Sequence, residues 1–283
     1  MPRLKTLAAA VGAAAALATL AAPPVGGQSP DSVSGSPAPS SAGPLLTRRE
    51  LRTGIAVAAA GAALVPFDVA ITRRLRSPEL HQSRASRRAA LVFDGYGAPG
   101  AQVAGPALIL LGDVTGRPGL ADAGLHVSEA YVVAGAVAFA VKGLAGRARP
   151  YAPGVDRAGD FQLGRGYLHR EPFSSFPSGH ATGSFAFASA VTAEVGRWSP
   201  RHARLVGVLA YGGAVLDGVS RVYRDCHYPS DVAAGAVIGT LSGLAITRRQ
   251  HANPDNRVDA VLRRVTFAPE PGGRLRVGLA AQF

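Results

Sequence analysis

The sequence predicts an all-α helical bundle with a short C-terminal β-hairpin, and three observations carry that prediction. Between residues 47 and 255, long apolar runs are separated by Gly- and Pro-containing turns, and no strand-like alternation interrupts them. Hydrophobic residues make up 47% of the 283-residue chain, enough for at least one packed core, which excludes disorder throughout. Only in the tail do apolar residues fall on alternate positions, at Leu275, Val277 and Leu279 with Phe283 beyond, after Val265–Ala268 and a Pro269–Gly273 turn.

Met1-Pro2-Arg3-Leu4-Lys5, followed by an alanine and leucine run to about Ala22, reads as a signal peptide over 1–27. Cleavage could follow Ala18, Ala22 or Gly27, and Pro23 and Pro24 end the run early for a membrane span. The expected location is therefore exported, periplasmic or membrane-associated. Residues 28–46 are rich in Ser, Pro and Gly and cannot bury enough apolar surface to order themselves, so they read as a disordered linker. The folded domain is expected over 47–255. Thr47 can cap its first helix, with Glu50 completing a capping box. Helices are expected at 48–75, 84–93, 100–112, 126–147, 179–196, 201–219 and 230–248. The stretches 54–71 and 232–247 approach membrane spans but read as poor ones, being short, rich in Ala and Gly, and interrupted by Asp68 or closed by arginines. A buried bundle is the preferred reading and membrane insertion the second. Residues 256–283 are expected to form an accessory hairpin.

The formal charge of +12 calls for an anionic partner without choosing among nucleic acid, anionic lipid and phosphorylated substrate. Arginine supplies nearly all of it, since Lys5 and Lys142 are the only lysines; Lys142 is thus a conspicuous survivor of the arginine bias. A single cysteine, Cys226, excludes an intramolecular disulfide and any multi-cysteine metal site, and it reads as a small buried residue.

Three segments hold the chemistry. In Lys142–Pro150, seven residues on a helix return to nearly the same face, so Lys142 and Arg149 should point the same way and converge on a tetrahedral oxyanion before Pro150 stops the helix. In Phe176–His180, the start of a helix offers free backbone N–H groups and a positive dipole end, making Ser178 and Gly179 candidate phosphate donors and His180 a candidate proton donor. In Ser220–Asp231, Arg221 can present a fork-shaped guanidinium to the same anion, while Asp231, one turn into a helix opened by Pro229, can orient the His227 imidazole. Each segment taken singly is also an ordinary feature: a solvated basic helix end, an N-cap with a nearby His, or a His and Asp satisfying each other in a turn. Asp217 is a candidate partner for an arginine, or a surface carboxylate.

The conjunction K-x6-RP, PSGH and SR-x5-H-x3-D resembles the three-part signature of the type 2 phosphatidic-acid phosphatases (PAP2), bacterial class A acid phosphatases and vanadium haloperoxidases. The resemblance covers about 142–231. It implies a helical bundle in which Lys142, Arg149 and Arg221 hold phosphoryl oxygens with help from Ser178 and Gly179. His227 would attack phosphorus, Asp231 would orient it, and His180 would protonate the leaving oxygen. It implies a metal-independent phosphatase without cofactor, acting on a lipid phosphate, an isoprenoid diphosphate or a soluble monoester, with a membrane surface as a possible partner and no nucleic acid. Residues 151–175, between the first two motifs, are expected to overhang the site and select the substrate. Two other readings stand: a haloperoxidase holding vanadate on His227, and a non-enzymatic basic protein that binds anionic membrane or nucleic acid.

Overall fold

The computed structural model describes residues 44–153, 158–169, 171–254 and 256, with the backbone alone of 265–270 and 274–279. The expected signal peptide and all but the last three residues of the expected linker lie outside the described residues, as do Arg157 and Arg170 of the 151–175 segment.

The described body is built from helices. The first expected helix is Arg48–Leu64 (α1), a tight turn at Val65–Phe67 around Pro66, and Asp68–Leu75 (α2). Its capping box forms: the Glu50 N–H donates to Thr47 Oγ1 at 3.2 Å and the Thr47 N–H to Glu50 Oε2 at 2.7 Å. A short helix, Pro78–Gln82 (α3), leads into Arg84–Gly95 (α4). A wide turn over Tyr96–Gly100 joins α4 to Ala101–Thr115 (α5), which ends at Gly116 in the left-handed region. Pro118–Ala145 (α6) starts eight residues before the expected 126, because a proline at the first helical position has no N–H to satisfy and its φ already suits a helix. After the short Arg165–Leu168 (α7) come the three helices that carry most of the site: Gly179–Trp198 (α8), Pro200–Tyr223 (α9) and Pro229–Ala252 (α10). The all-α class rests on these helices and not on the expected C-terminal strand pair, whose backbone ladder sets Val265–Glu270 (β1) against Arg274–Leu279 (β2).

Helix α8 is the axis of the bundle, packed against α6, α9 and α10. Its small residues let the neighbours come close: Ala181, Ala186, Ala188 and Ala190 are fully buried. Opposite them α10 presents Gly235, Gly239 and Gly243 at four-residue spacing, where an added Cβ would run into the backbone carbonyls Ser178 O, Thr182 O and Ala186 O of α8. α1 lies on α10, and Arg248 of α10 forks onto Glu50 at 2.6 and 2.7 Å.

Four helical stretches are long and apolar enough to cross a membrane: Arg48–Leu75, Pro118–Ala145, Pro200–Tyr223 and Pro229–Ala252. This corrects the sequence reading of 54–71 and 232–247 as too short, since the complete stretches run to 28 and 24 residues, roughly 42 and 36 Å against a hydrocarbon core of about 30 Å. Asp68 does not break the first stretch either. It is fully buried and faces an arginine inside the bundle. The outward faces carry exposed large apolar side chains, among them Leu51 and Ile55 on α1, Val132, Val133 and Phe139 on α6, and Leu205, Val208 and Leu209 on α9.

Candidate active site

The three sequence segments meet at one end of the bundle, where α6 and α9 finish and α8 and α10 begin. Lys142 stands in the last turn of α6, which closes at Gly146 with φ 51° and its N–H on Lys142 O. This corrects the expectation that Arg149 shares a helix face with Lys142. A glycine in the left-handed conformation ends the helix four residues before Pro150 could, and Arg149 follows in non-helical chain, its N–H donating to Pro172 O at 2.9 Å. The two cations still converge, through a shared partner: Lys142 Nζ donates to Ser174 O at 2.8 Å and Arg149 Nη2 to Ser174 Oγ at 3.2 Å. Arg149 also pairs with Glu171 at 2.7 Å. The Nε atoms of Arg149 and Arg221 are buried with no hydrogen-bond partner, two N–H donors turned inward without an acceptor.

Ser178 caps α8, its Oγ accepting from the Ala181 N–H at 3.4 Å, and its own N–H donates to Asp231 O at 2.9 Å. Gly179 faces the stem of Lys142, since a Cβ built there would stand 3.5 Å from Lys142 Cε. His180 follows, partly exposed, with Nε2 3.7 Å from Asp94 Oδ1. Asp94, near the end of α4, also forms ion pairs with Arg221 and Arg224 at the end of α9.

His227 is buried in the turn between α9 and α10. Its Nδ1 lies 2.8 Å from the Ser175 carbonyl oxygen and 3.7 Å from Asp231 Oδ2, so the backbone carbonyl makes the short contact and Asp231 stands within ion-pair range of the same nitrogen. Asp231 is fully engaged elsewhere: Oδ2 accepts from Ser175 Oγ at 2.6 Å and from the Tyr228 N–H at 2.8 Å, and Oδ1 accepts from Arg147 Nη1 at 2.5 Å. It therefore holds the backbone on both sides of the imidazole, and with it the carbonyl that the imidazole uses. Arg147 is itself fully buried. It donates to Asp68 at 2.7 Å, to Ser230 Oγ at 2.7 Å and to Ala158 O, and its guanidinium lies between the rings of Phe161 and Tyr228.

Burial and positive neighbours keep both imidazoles neutral. His227 is pushed down to about 3, first by burial and then by Lys142 and Arg149, with Asp231 opposing. His180 is pushed down to about 4 by burial and by Arg221, with Asp94 opposing. Lys142, Arg149, Arg221 and Arg224 outnumber Glu171 and Asp94, the carboxylates that pair with them beside two neutral imidazoles, and this excess of positive charge is the electrostatic condition for holding an oxyanion.

Residues 123–255, which include every one of these motif positions, match the PAP2 superfamily. Across 90 residues it is 36% identical to a lipid A 1-phosphatase of Porphyromonas gingivalis, a match covering 32% of this chain and 19% of that protein. The chain thus aligns with about a fifth of the relative's length. No solved structure matches it.

The fold brings together all eight residues singled out in the sequence, and adds four that the sequence did not reveal. Arg147 lies inside the first motif at a position the pattern leaves open. Ser175 sits just before the second. Asp68 and Asp94 lie on α2 and α4, more than 120 residues from the groups they bind on α9 and α10. Asp217 is not a surface carboxylate: it is fully buried, accepts from Ser184 Oγ at 2.9 Å, and lies within the electrostatic reach of Arg221. Cys226 is half-buried, not buried. Of the 151–175 segment, Glu171, Ser174 and Ser175 border the site and Tyr151 bonds Glu171.

Proposed function

We propose that the chain is a membrane-associated phosphatase that hydrolyses a lipid phosphate ester through a phosphohistidine on His227. The observation that carries this reading is the Nδ1 contact of His227. A carbonyl oxygen only accepts, so Nδ1 must hold the proton, which leaves the Nε2 lone pair free to act as a nucleophile beside Lys142 and Arg149. The match of residues 123–255 to the PAP2 superfamily, the lipid A 1-phosphatase relative and the four apolar helical stretches support the class of reaction and of substrate.

In this mechanism Lys142, Arg149 and Arg221 take the non-bridging oxygens of the phosphoryl group, with the orphaned Nε donors of the two arginines turned to the substrate and the first turn of α8 adding the Gly179 N–H. His227 Nε2 attacks phosphorus in line as the ester P–O bond breaks, and His180, brought into its imidazolium form by the negative charge of the bound phosphate, gives that proton to the departing alkoxide. His180 then removes a proton from water, which attacks phosphorus, releases phosphate and restores His227. The transferring group needs positioning and charge neutralisation, and the three cations supply both, so no divalent metal takes part in these steps. Glu171 and Tyr151, at the edge of the site on the 151–175 segment, are placed to meet the rest of the substrate.

The test is a panel of lipid phosphates, isoprenoid diphosphates and soluble monoesters, assayed with and without chelator, together with acid-labile, base-stable labelling of the protein from a radiolabelled substrate. The proposal expects lipid phosphate to be preferred, initial rates to be unaffected by chelator, label to appear in the wild type, and label and turnover both to be lost in His227→Gln. His180→Gln should slow turnover about 10²–10⁴-fold. Full turnover in His227→Gln would overturn the mechanism, and inactivity on every phosphate ester would overturn the function.

A further inference from the structure

At the far end of the bundle a second cluster of titratable side chains lies outside the chemistry described above. His126 of α6, Glu194 of α8 and His251 of α10 each come from a different helix, and all three helices pack on one another. Glu194 Oε1 lies 2.6 Å from His126 Nδ1 and 2.9 Å from His251 Nε2, and Oε2 lies 3.0 Å from the same nitrogen. The three candidate donor atoms fall within 4.8 Å of one another. His126 and Glu194 are buried, and His251 keeps 26% of its side chain exposed.

We propose that His126, Glu194 and His251 form a binding site for a first-row divalent metal ion, with zinc the best fit. Two imidazole nitrogens and one carboxylate make a His2Glu set, which suits zinc and leaves a fourth position for water. The rings stand at 81° with centroids 5.0 Å apart, so their nitrogens approach the carboxylate from different directions, as two imidazoles do on one tetrahedral ion. Bonds of about 2.0–2.1 Å to a tetrahedral ion set its donor atoms about 3.3 Å apart, so the Glu194 contacts of 2.6 and 2.9 Å would lengthen and the imidazole nitrogens, within 4.8 Å of each other, would close on the ion by side-chain rotation. The charge balance favours an ion as well. Glu194 is a buried carboxylate near the C-terminal end of its own helix, where the helix dipole is negative, and a divalent cation offsets both. The exposed edge of His251 gives the ion a way in.

The site is separate from the phosphate chemistry. Fourteen residues of α8 divide His180 from Glu194, roughly 21 Å along the helix axis, so an ion here cannot touch the reacting group. Its role is to pin α6, α8 and α10 at the end opposite to the one where the same helices present Lys142, Ser178–His180 and Asp231.

The experiment uses the untagged full chain in detergent, stripped with chelator and dialysed, then titrated with zinc and with cobalt(II). Metal content, the visible ligand-field spectrum of cobalt and the thermal midpoint are measured. One ion per chain, the intense visible bands of tetrahedral cobalt, and a rise in Tm on zinc addition are the expected results. His251→Gln, at the open edge of the cluster, should abolish the cobalt bands and the Tm response, and Glu194→Gln should do the same if it folds. Should the wild type take up no stoichiometric metal, or His251→Gln take up as much as the wild type, the site does not exist. Because uptake and spectrum are read directly, the result stands whether or not the chain turns over a phosphate ester.

Discussion

Asp94 binds the guanidiniums of Arg221 and Arg224 and stands 3.7 Å from His180, so it bears on both the grip and the proton donor. It opposes the burial and the Arg221 charge that press His180 down to about 4. Removing its charge in Asp94→Asn therefore lowers His180 further and leaves less of the protonated acid at any given pH. The pH profile of kcat/KM should move to lower pH, with a loss of order tenfold near pH 6 for each pKa unit moved. A variant that lowered the whole profile without shifting it would show Asp94 to be merely structural. Arg147 poses a question of stability. Its guanidinium is the buried counter-charge of Asp68 and Asp231, so Arg147→Met leaves two carboxylates unpaired and should cost about 3–5 kcal/mol in denaturant unfolding. Adding Asp68→Asn to that variant should restore part of the loss. His227 also links pH to stability. Its native value of about 3 lies below the unfolded value near 6.5, so its contribution is fully present above the unfolded value and is lost as pH falls from 6.5 toward 3. Thermal midpoints should thus drop between pH 7 and pH 4, with a smaller drop in His227→Gln.

At the scale of elements, contact between α8 and α10 depends on the stripe Gly235, Gly239, Gly243. Gly239→Ala isolates that dependence, because alanine gains about 1 kcal/mol of helix propensity while its methyl meets Thr182 O and the Ala186 N–H. Since the obstacle is the backbone of α8 and not a side chain that can swing away, overpacking should dominate, and the variant should unfold at a lower temperature than the wild type. A higher Tm would mean that the helices have slack. The existence of each long helix could be read from its apolar run and its capping signals, as the Thr47–Glu50 box at the start of α1 illustrates. Ends were less legible, and for a local reason. Gly146 and Pro150 are both helix terminators by composition, and only the backbone shows that the glycine acts first, which moves Arg149 off α6. In the same way Pro118 could close a turn or open a helix, and only the backbone shows that it opens one.

For the whole molecule, what the sequence disclosed about the candidate site was the set of residues that fill a three-part spacing pattern and that the fold brings to one end of the bundle: Lys142, Arg149, Ser178, Gly179, His180, Arg221, His227 and Asp231. Asp68, Asp94 and the His126–Glu194–His251 cluster were hidden because each works through distances that only the folded bundle creates. The length of the first apolar stretch was underestimated for a related reason. The single charge that argued against a span, Asp68, is neutralised inside the bundle by Arg147, so Thr53–Thr72 is apolar toward the outside, about 30 Å of helix bracketed by Arg52 and Arg73. Arginines bound the other stretches as well, with Arg201 and Arg204 before the apolar part of α9 and Arg248 and Arg249 after that of α10. With Leu51, Ile55, Val132, Phe139, Leu205 and Leu209 facing outward, a purely electrostatic attachment would leave a broad apolar surface in water. The protein should therefore stay with the membrane fraction through a high-salt wash and come off only in detergent, and Leu205→Arg with Leu209→Arg should lower the yield in that fraction. Release by salt alone would mean that the basic surface, and not these faces, holds the protein on the lipid. The helices would then have to find an apolar partner other than a bilayer.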